Sequence, residues 1–157
     1  MLKVASFDIV FQEIPGEVTL ALNLSNCPCH CPGCHSVHLA EDIGRELDEE
    51  LMADLLDRYG NQITCVAFMG GDAAPEEVAQ WARYIHQLPI TNYQLRTAWY
   101  SGRTNMPTDH TAFDYVKLGP YIEALGGLKS EKTNQRLYQR VGDEWRDITS
   151  VFRKKNL

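Results

Sequence analysis

Apolar and polar positions alternate most cleanly between Glu17 and Leu24, with Val18, Leu20, Leu22 and Leu24 on one side and Thr19, Ala21 and Asn23 on the other. That two-residue period predicts a half-buried strand. Before it, residues 4–11 are partly apolar and end at a turn signal, Glu13-Ile14-Pro15-Gly16. After it comes Cys27-Pro28-Cys29-His30-Cys31-Pro32-Gly33-Cys34, where the prolines and glycine forbid regular structure. Residues 48–59 change to a helical period. Asp48 is placed to cap, Glu49 and Glu50 suit the positive end, and Leu51, Met52, Leu55, Leu56 and Tyr59 share one face before Gly60. Ile63 to Met69 is nearly all apolar, as in a strand covered on both faces. Pro75 suits a first helical position, and Val78, Trp81, Ala82 and Ile85 carry that helix to about Gln87. A further strand is predicted from Tyr93 to Tyr100.

Strand, helix, strand, helix, strand is a βαβ series, which implies a parallel sheet with right-handed crossovers. Each of the three strands ends in a polar or glycine-rich loop: the cysteine loop, Gly70-Gly71-Asp72, and Ser101-Gly102-Arg103. These loops should share one edge of the sheet, where α/β folds place their chemistry. Further on, residues 103–112 read as loop and Phe113 to Leu118 as a short strand ending at Gly119-Pro120. Residues 137–148 read as a hairpin turning at Gly142-Asp143. Without repeats or linkers, residues 1–157 form a single domain.

Composition narrows the function. At 157 residues, 44% hydrophobic and 23% charged, the chain can bury one core without staples. A net charge of -6 argues against nucleic acid or an anionic membrane as partner. No run of about 18 apolar residues spans a membrane, and the opening residues lack the apolar core of a secretory signal. A cytoplasmic location is therefore expected. Disulfides are rare there, so clustered cysteines lean towards metal or redox chemistry. Cys65, alone in an apolar run, reads as a buried core thiol.

The other four cysteines fall within Cys27–Cys34 and can be partitioned in two ways. Cys27, Cys31 and Cys34 give C-x3-C-x2-C and leave Cys29 over. Three thiolates can hold three corners of a four-iron cluster, leaving one iron open to a substrate or cofactor. Alternatively all four, or three with His30, His35 or His38, bind zinc in a structural or adaptor module. Closed zinc sites usually draw ligands as two separated pairs, which counts modestly against this reading. Gly70-Gly71-Asp72 taken alone is a turn between strand and helix. Its glycines also permit close backbone approach, and its acid can accept from an ammonium group. An open iron beside a glycine-acid loop suits an amino acid bound through its amine and carboxylate.

With these motifs the chain resembles the radical S-adenosylmethionine superfamily. Within it, the likeness is to the activating proteins of anaerobic (class III) ribonucleoside-triphosphate reductases. Cys27, Cys31 and Cys34 match the cluster cysteines, with Gly33 where these activases tend to have glycine. Gly70-Gly71-Asp72 matches the glycine-glycine-acid motif, and Ser101-Gly102 the threonine-glycine pair. Leu118-Gly119-Pro120-Tyr121 and Asn134-Gln135-Arg136 resemble the late motifs that distinguish this subfamily. Asp72 stands where glutamate is usual, Pro75 is displaced by two alanines, His35 stands where asparagine is common, and Cys29 is extra.

The resemblance implies an α/β fold, a shortened open (β/α) barrel of the radical SAM type with a mostly parallel sheet. It implies a [4Fe-4S] cluster on Cys27, Cys31 and Cys34, with S-adenosyl-L-methionine beside Gly33, Cys34 and His35. Gly70, Gly71 and Asp72 would orient its amine, and Ser101 is a candidate for ribose contact. The activity implied is reductive cleavage of S-adenosylmethionine and hydrogen abstraction from a glycine of the anaerobic reductase. The partners are that reductase and a one-electron donor such as flavodoxin.

Overall fold

The structure, a computed structural model, describes residues 1–26, 39, 41–88 and 94–153. The strands are β1 (Lys3–Val10), β2 (Thr19–Leu24), β3 (Arg45–Glu46), β4 (Cys65–Met69), β5 (Arg96–Tyr100), β6 (Tyr115–Leu118), β7 (Arg136–Val141) and β8 (Glu144–Asp147). Among the described residues two helices interrupt them, α1 (Glu49–Tyr59) and α2 (Pro75–Gln87), and short 3-10 turns lie at His110–Ala112 and Thr149–Arg153. All eight strands join one sheet in the order β3-β1-β2-β4-β5-β6-β7-β8.

The four central strands, β2, β4, β5 and β6, run parallel. Flanking them, β1 pairs antiparallel with both β2 and β3, and β7 pairs antiparallel with β6 and β8. Among the described residues the sheet is therefore mixed, with three parallel pairings at its centre and four antiparallel ones at its margins. The reason is connectivity: parallel neighbours need a crossover, whereas short connections such as Gly142-Asp143 between β7 and β8 return the chain antiparallel. Among the described residues β3 and β8 do not pair with each other, so the sheet is open.

Helix α1 starts where Asp48 accepts a hydrogen bond from the Leu51 N–H at 2.8 Å, a cap worth about 1 kcal/mol. Gly60 ends it in a right-handed conformation, φ -54°, so no left-handed C-cap is formed. Pro75 opens α2 without needing a side-chain cap. Both helices pack on one face of the sheet, against Leu20, Leu22, Leu24, Val66, Phe68, Trp99 and Val116. The opposite face carries Cys65, Ala67, Ala98, Tyr115 and Leu137, covered by Ile14, Ile148 and Phe152. Each fully buried large apolar side chain contributes roughly 1.5–3 kcal/mol, so the central strands are the anchor for every loop at their ends. Among the described residues no helix is long and apolar enough to cross a membrane.

Candidate cofactor site

Because β2, β4, β5 and β6 are parallel neighbours, their C-terminal ends deliver four loops to one edge. The first begins at Ser25 and Asn26; Cys27, Cys29, Cys31, Cys34, Gly33 and His35, with His30 and His38, lie outside the described residues. Its base is well held. Ser25 N–H donates to the Lys3 carbonyl at 3.0 Å and Asn26 N–H to the Glu41 carbonyl at 3.1 Å. The Asn26 side chain donates to Asp42 at 3.0 Å, and Lys3 Nζ pairs with the same carboxylate at 2.8 Å. Lys3 holds the exposed Asp42 carboxyl below its ordinary range through that hydrogen bond, with Asn26 adding to the effect. Asn26 takes a left-handed turn, φ 60°, which asparagine tolerates better than most residues.

At the second loop, Gly70 and Gly71 have φ +98° and +83°, left-handed values that favour glycine. A side chain at Gly71 would lie 2.7 Å from Val78 Cγ2 and 2.9 Å from Leu24 Cδ1. The turn is thus wedged between α2 and the end of β2. Next to it Asp72 is 2% exposed. One of its carboxylate oxygens accepts the Ser101 hydroxyl, and the other accepts the Gly102 N–H at 3.0 Å. Arg103 closes over this pair, its guanidinium donating to the Asp72 carbonyl at 2.8 Å and its N–H to Ser101 Oγ at 3.0 Å.

The bonding continues across β6. Lys117, buried on the face opposite the helices, donates from Nζ to the Ser101 carbonyl at 3.0 Å and the Gly119 carbonyl at 2.9 Å. Gln135 Nε2 reaches the same Gly119 carbonyl at 3.3 Å, and Asn134 Nδ2 donates to the Pro120 carbonyl at 3.0 Å. The Gly119-Pro120 and Asn134-Gln135 motifs, well separated in sequence, are therefore one structural unit. Trp99 Nε1 donates to the Gly70 carbonyl at 2.7 Å from the helix side. Described site residues Gly70, Gly71, Asp72 and Ser101 come together in this network. Lys117 was missed by sequence reasoning, although a lysine inside a short apolar strand is a recognisable signal. A cavity of about 720 Å³ opens on the α2 side of β5, between Pro75, Glu76, Ala79 and residues 102–109.

The chain's donors fit an iron-sulfur group. Four thiols follow β2 within eight residues, and thiolates are the ligands such clusters use. Two residues before the first of them, the Ser25 hydroxyl is buried without a hydrogen-bond partner, an O–H donor with no acceptor at the start of the loop. Cys65 differs in kind. Burial pushes its thiol pKa far upward, with the Glu17 charge adding to the effect, so the ligating thiolate is disfavoured. It also begins β4, roughly 13 Å of strand from the loop end. Among the described residues no group of three or more His, Cys, Asp or Glu is placed to hold a metal ion.

A family model described as "4Fe-4S single cluster domain" matches residues 15–120, which is more than half of the chain. The matched segment runs from the turn before β2 through the cysteine loop to Pro120, and so includes the loops after β2, β4 and β5 and the first two residues of the loop after β6. No match is found among curated proteins, and none among solved structures. The thiol-rich loop, its buried hydroxyl neighbour and the matched segment converge: the chain belongs to the 4Fe-4S single cluster domain family.

Proposed function

We propose that this protein is a radical S-adenosylmethionine enzyme that activates the glycyl-radical subunit of an anaerobic ribonucleoside-triphosphate reductase. The observation that carries the reading is the hydrogen-bonded edge where Asp72, Ser101, Lys117 and Gly119 join the loops after β4, β5 and β6. That edge also receives the cysteine loop after β2. Cys27, Cys31 and Cys34 would hold the [4Fe-4S] cluster, leaving one iron for S-adenosyl-L-methionine, with Gly33, Cys34 and His35 beside it. When bound, the two cofactors supply one-electron cleavage to methionine and a 5′-deoxyadenosyl radical, which takes hydrogen from a partner glycine.

This chain's own residues position and exclude. Gly70, Gly71 and Asp72 orient the amine of the cofactor, and Ser101 serves its ribose. Because Asp72 and Ser101 are bonded to each other, they act as a joined pair, each fixing the loop of the other. The central strands β2, β4, β5 and β6 would form the shortened open (β/α) barrel of this superfamily. A full barrel needs about 250 residues, and an open side admits a loop of the partner. Flavodoxin or a similar one-electron donor in the cytoplasm belongs to the same proposal.

Anaerobic reconstitution tests it. About four irons per chain, cofactor-dependent release of 5′-deoxyadenosine, and a glycyl-radical EPR signal on the reductase are expected. One zinc and no iron would instead identify a structural module built on Cys27, Cys29, Cys31 and Cys34. Iron without cofactor cleavage would leave an electron-transfer protein.

A further inference from the structure

Ser25 is 4% exposed, and its Oγ is buried with no hydrogen-bond partner. A buried hydroxyl left unbonded costs on the order of 1–3 kcal/mol, so such groups are rare and call for an acceptor. Two other buried side-chain atoms among the described residues share this state, Thr19 Oγ1 and Asn134 Oδ1. Thr19 lies at the opposite end of β2, and the Asn134 oxygen is an acceptor that cannot donate. Ser25 alone is both a donor and a neighbour of the thiols.

Its placement is constrained from both sides. The Ser25 N–H donates to the Lys3 carbonyl at 3.0 Å, extending the β1–β2 ladder one residue past Leu24. Cys27 is two residues on, so its Cα can be no more than about 7.6 Å away. Asn26, the next residue, is tied to Glu41 and Asp42, which fixes the backbone on the loop side of Ser25.

We propose that the Ser25 hydroxyl donates a hydrogen bond to a sulfur of the iron-sulfur cluster, a thiolate or a sulfide, and thereby raises its reduction potential. The inference rests on the cluster being carried by the loop that starts at Cys27; it does not depend on which thiols ligate or on S-adenosylmethionine. Hydrogen bonds to sulfur are one of the levers that set cluster potentials. Donation withdraws electron density and favours the reduced, more negative state. No other described side chain relieves the hydroxyl, and a cluster sulfur would supply the acceptor it lacks.

The test uses Ser25→Ala, Ser25→Thr and Ser25→Val beside the wild-type chain, reconstituted anaerobically, with iron content and potentiometric EPR titration as readouts. Ser25→Ala and Ser25→Val should keep the wild-type iron content yet move the midpoint to more negative potential. A tenfold change in the reduction equilibrium would appear as about 59 mV for one electron. Ser25→Thr, which keeps the donor, should stay near wild type, while Ser25→Val controls for its bulk. In the iron-free protein the urea midpoint of Ser25→Ala should be unchanged or higher, because the hydroxyl has no protein partner to lose. Equal potentials in wild type and Ser25→Ala, or a lowered urea midpoint for the iron-free Ser25→Ala, would overturn the inference alone. Wild-type protein that takes up no iron would overturn it together with the cluster.

Discussion

The Asp72 carboxylate accepts the Ser101 hydroxyl, and through that bond the loop after β4 is joined to the loop after β5. Both residues are buried, so the pair acts inside a low-dielectric site, where an unmatched partner is costly.

Replacing Asp72 should therefore have two separable effects. Asp72→Ala strands the Ser101 hydroxyl and the Gly102 N–H, and about 2–4 kcal/mol of stability should be lost. In reconstituted protein, iron content should hold while S-adenosylmethionine affinity falls, measured by urea denaturation and by cofactor titration. Unchanged affinity would remove Asp72 from the cofactor site. Asp72→Glu adds a methylene in a buried position and should cost about 1–3 kcal/mol.

Two glycines with similar backbone angles should respond differently to alanine. Gly71 and Gly16 have φ +83° and +80°, but a side chain meets Val78 and Leu24 at Gly71 and nothing within 4 Å at Gly16. Gly16→Ala should cost about 1–2 kcal/mol, the left-handed backbone penalty alone. Gly71→Ala should add about 1–3 kcal/mol of overpacking to that penalty. Equal urea midpoints for the two variants would contradict the close packing of the turn.

The cysteines should separate by role. Cys31→Ala should abolish cluster assembly, whereas Cys29→Ala and Cys65→Ala should retain it. Iron per chain and visible absorbance after anaerobic reconstitution decide this. Equal loss from Cys29→Ala and Cys31→Ala would show a four-thiolate site. Cys65 should also resist thiol-labelling reagents until the chain is unfolded, because burial disfavours its thiolate.

Acid stability should depend on Asp114, at the opposite end of the sheet from the site. Burial pushes its carboxyl pKa up. The hydrogen bonds from His86 at 2.8 Å and the Thr97 N–H at 2.9 Å, together with the Arg140 charge, outweigh burial and hold it below its ordinary value. A depressed folded pKa means that its stabilisation is present above the unfolded value and is lost as pH falls through the folded one. Stability should drop from about pH 4 downward. Asp114→Asn should be less stable at pH 7 and show a flatter decline in acid, read from urea midpoints across pH.

Local pattern determined much of this protein. The alternation of Leu20, Leu22 and Leu24, the Asp48 cap and Pro75 at the start of α2 each act over a few residues and mark their elements, although β2 is buried on both faces, Thr19 and Ala21 included, rather than half-buried as the alternation predicts. The edges were less legible. Strand β3 has only two residues, Arg45 and Glu46, too few to show a period, and its existence depends on pairing with Lys3 and Val4. The antiparallel margins likewise follow from connections and neighbours rather than from composition.

The site divides along the same line. The thiols, the glycine-acid turn and the late motifs stand in the amino-acid order, because ligand type and backbone freedom are properties of single residues. Tertiary structure alone decided that Asp72 turns to Ser101, that Lys117 links Ser101 to Gly119, and that the Ser25 hydroxyl is buried without a partner. Hydrogen bonds between loops depend on strand order and register, which bring residues 25, 72, 101 and 119 to one edge of the sheet. No local pattern encodes that distance.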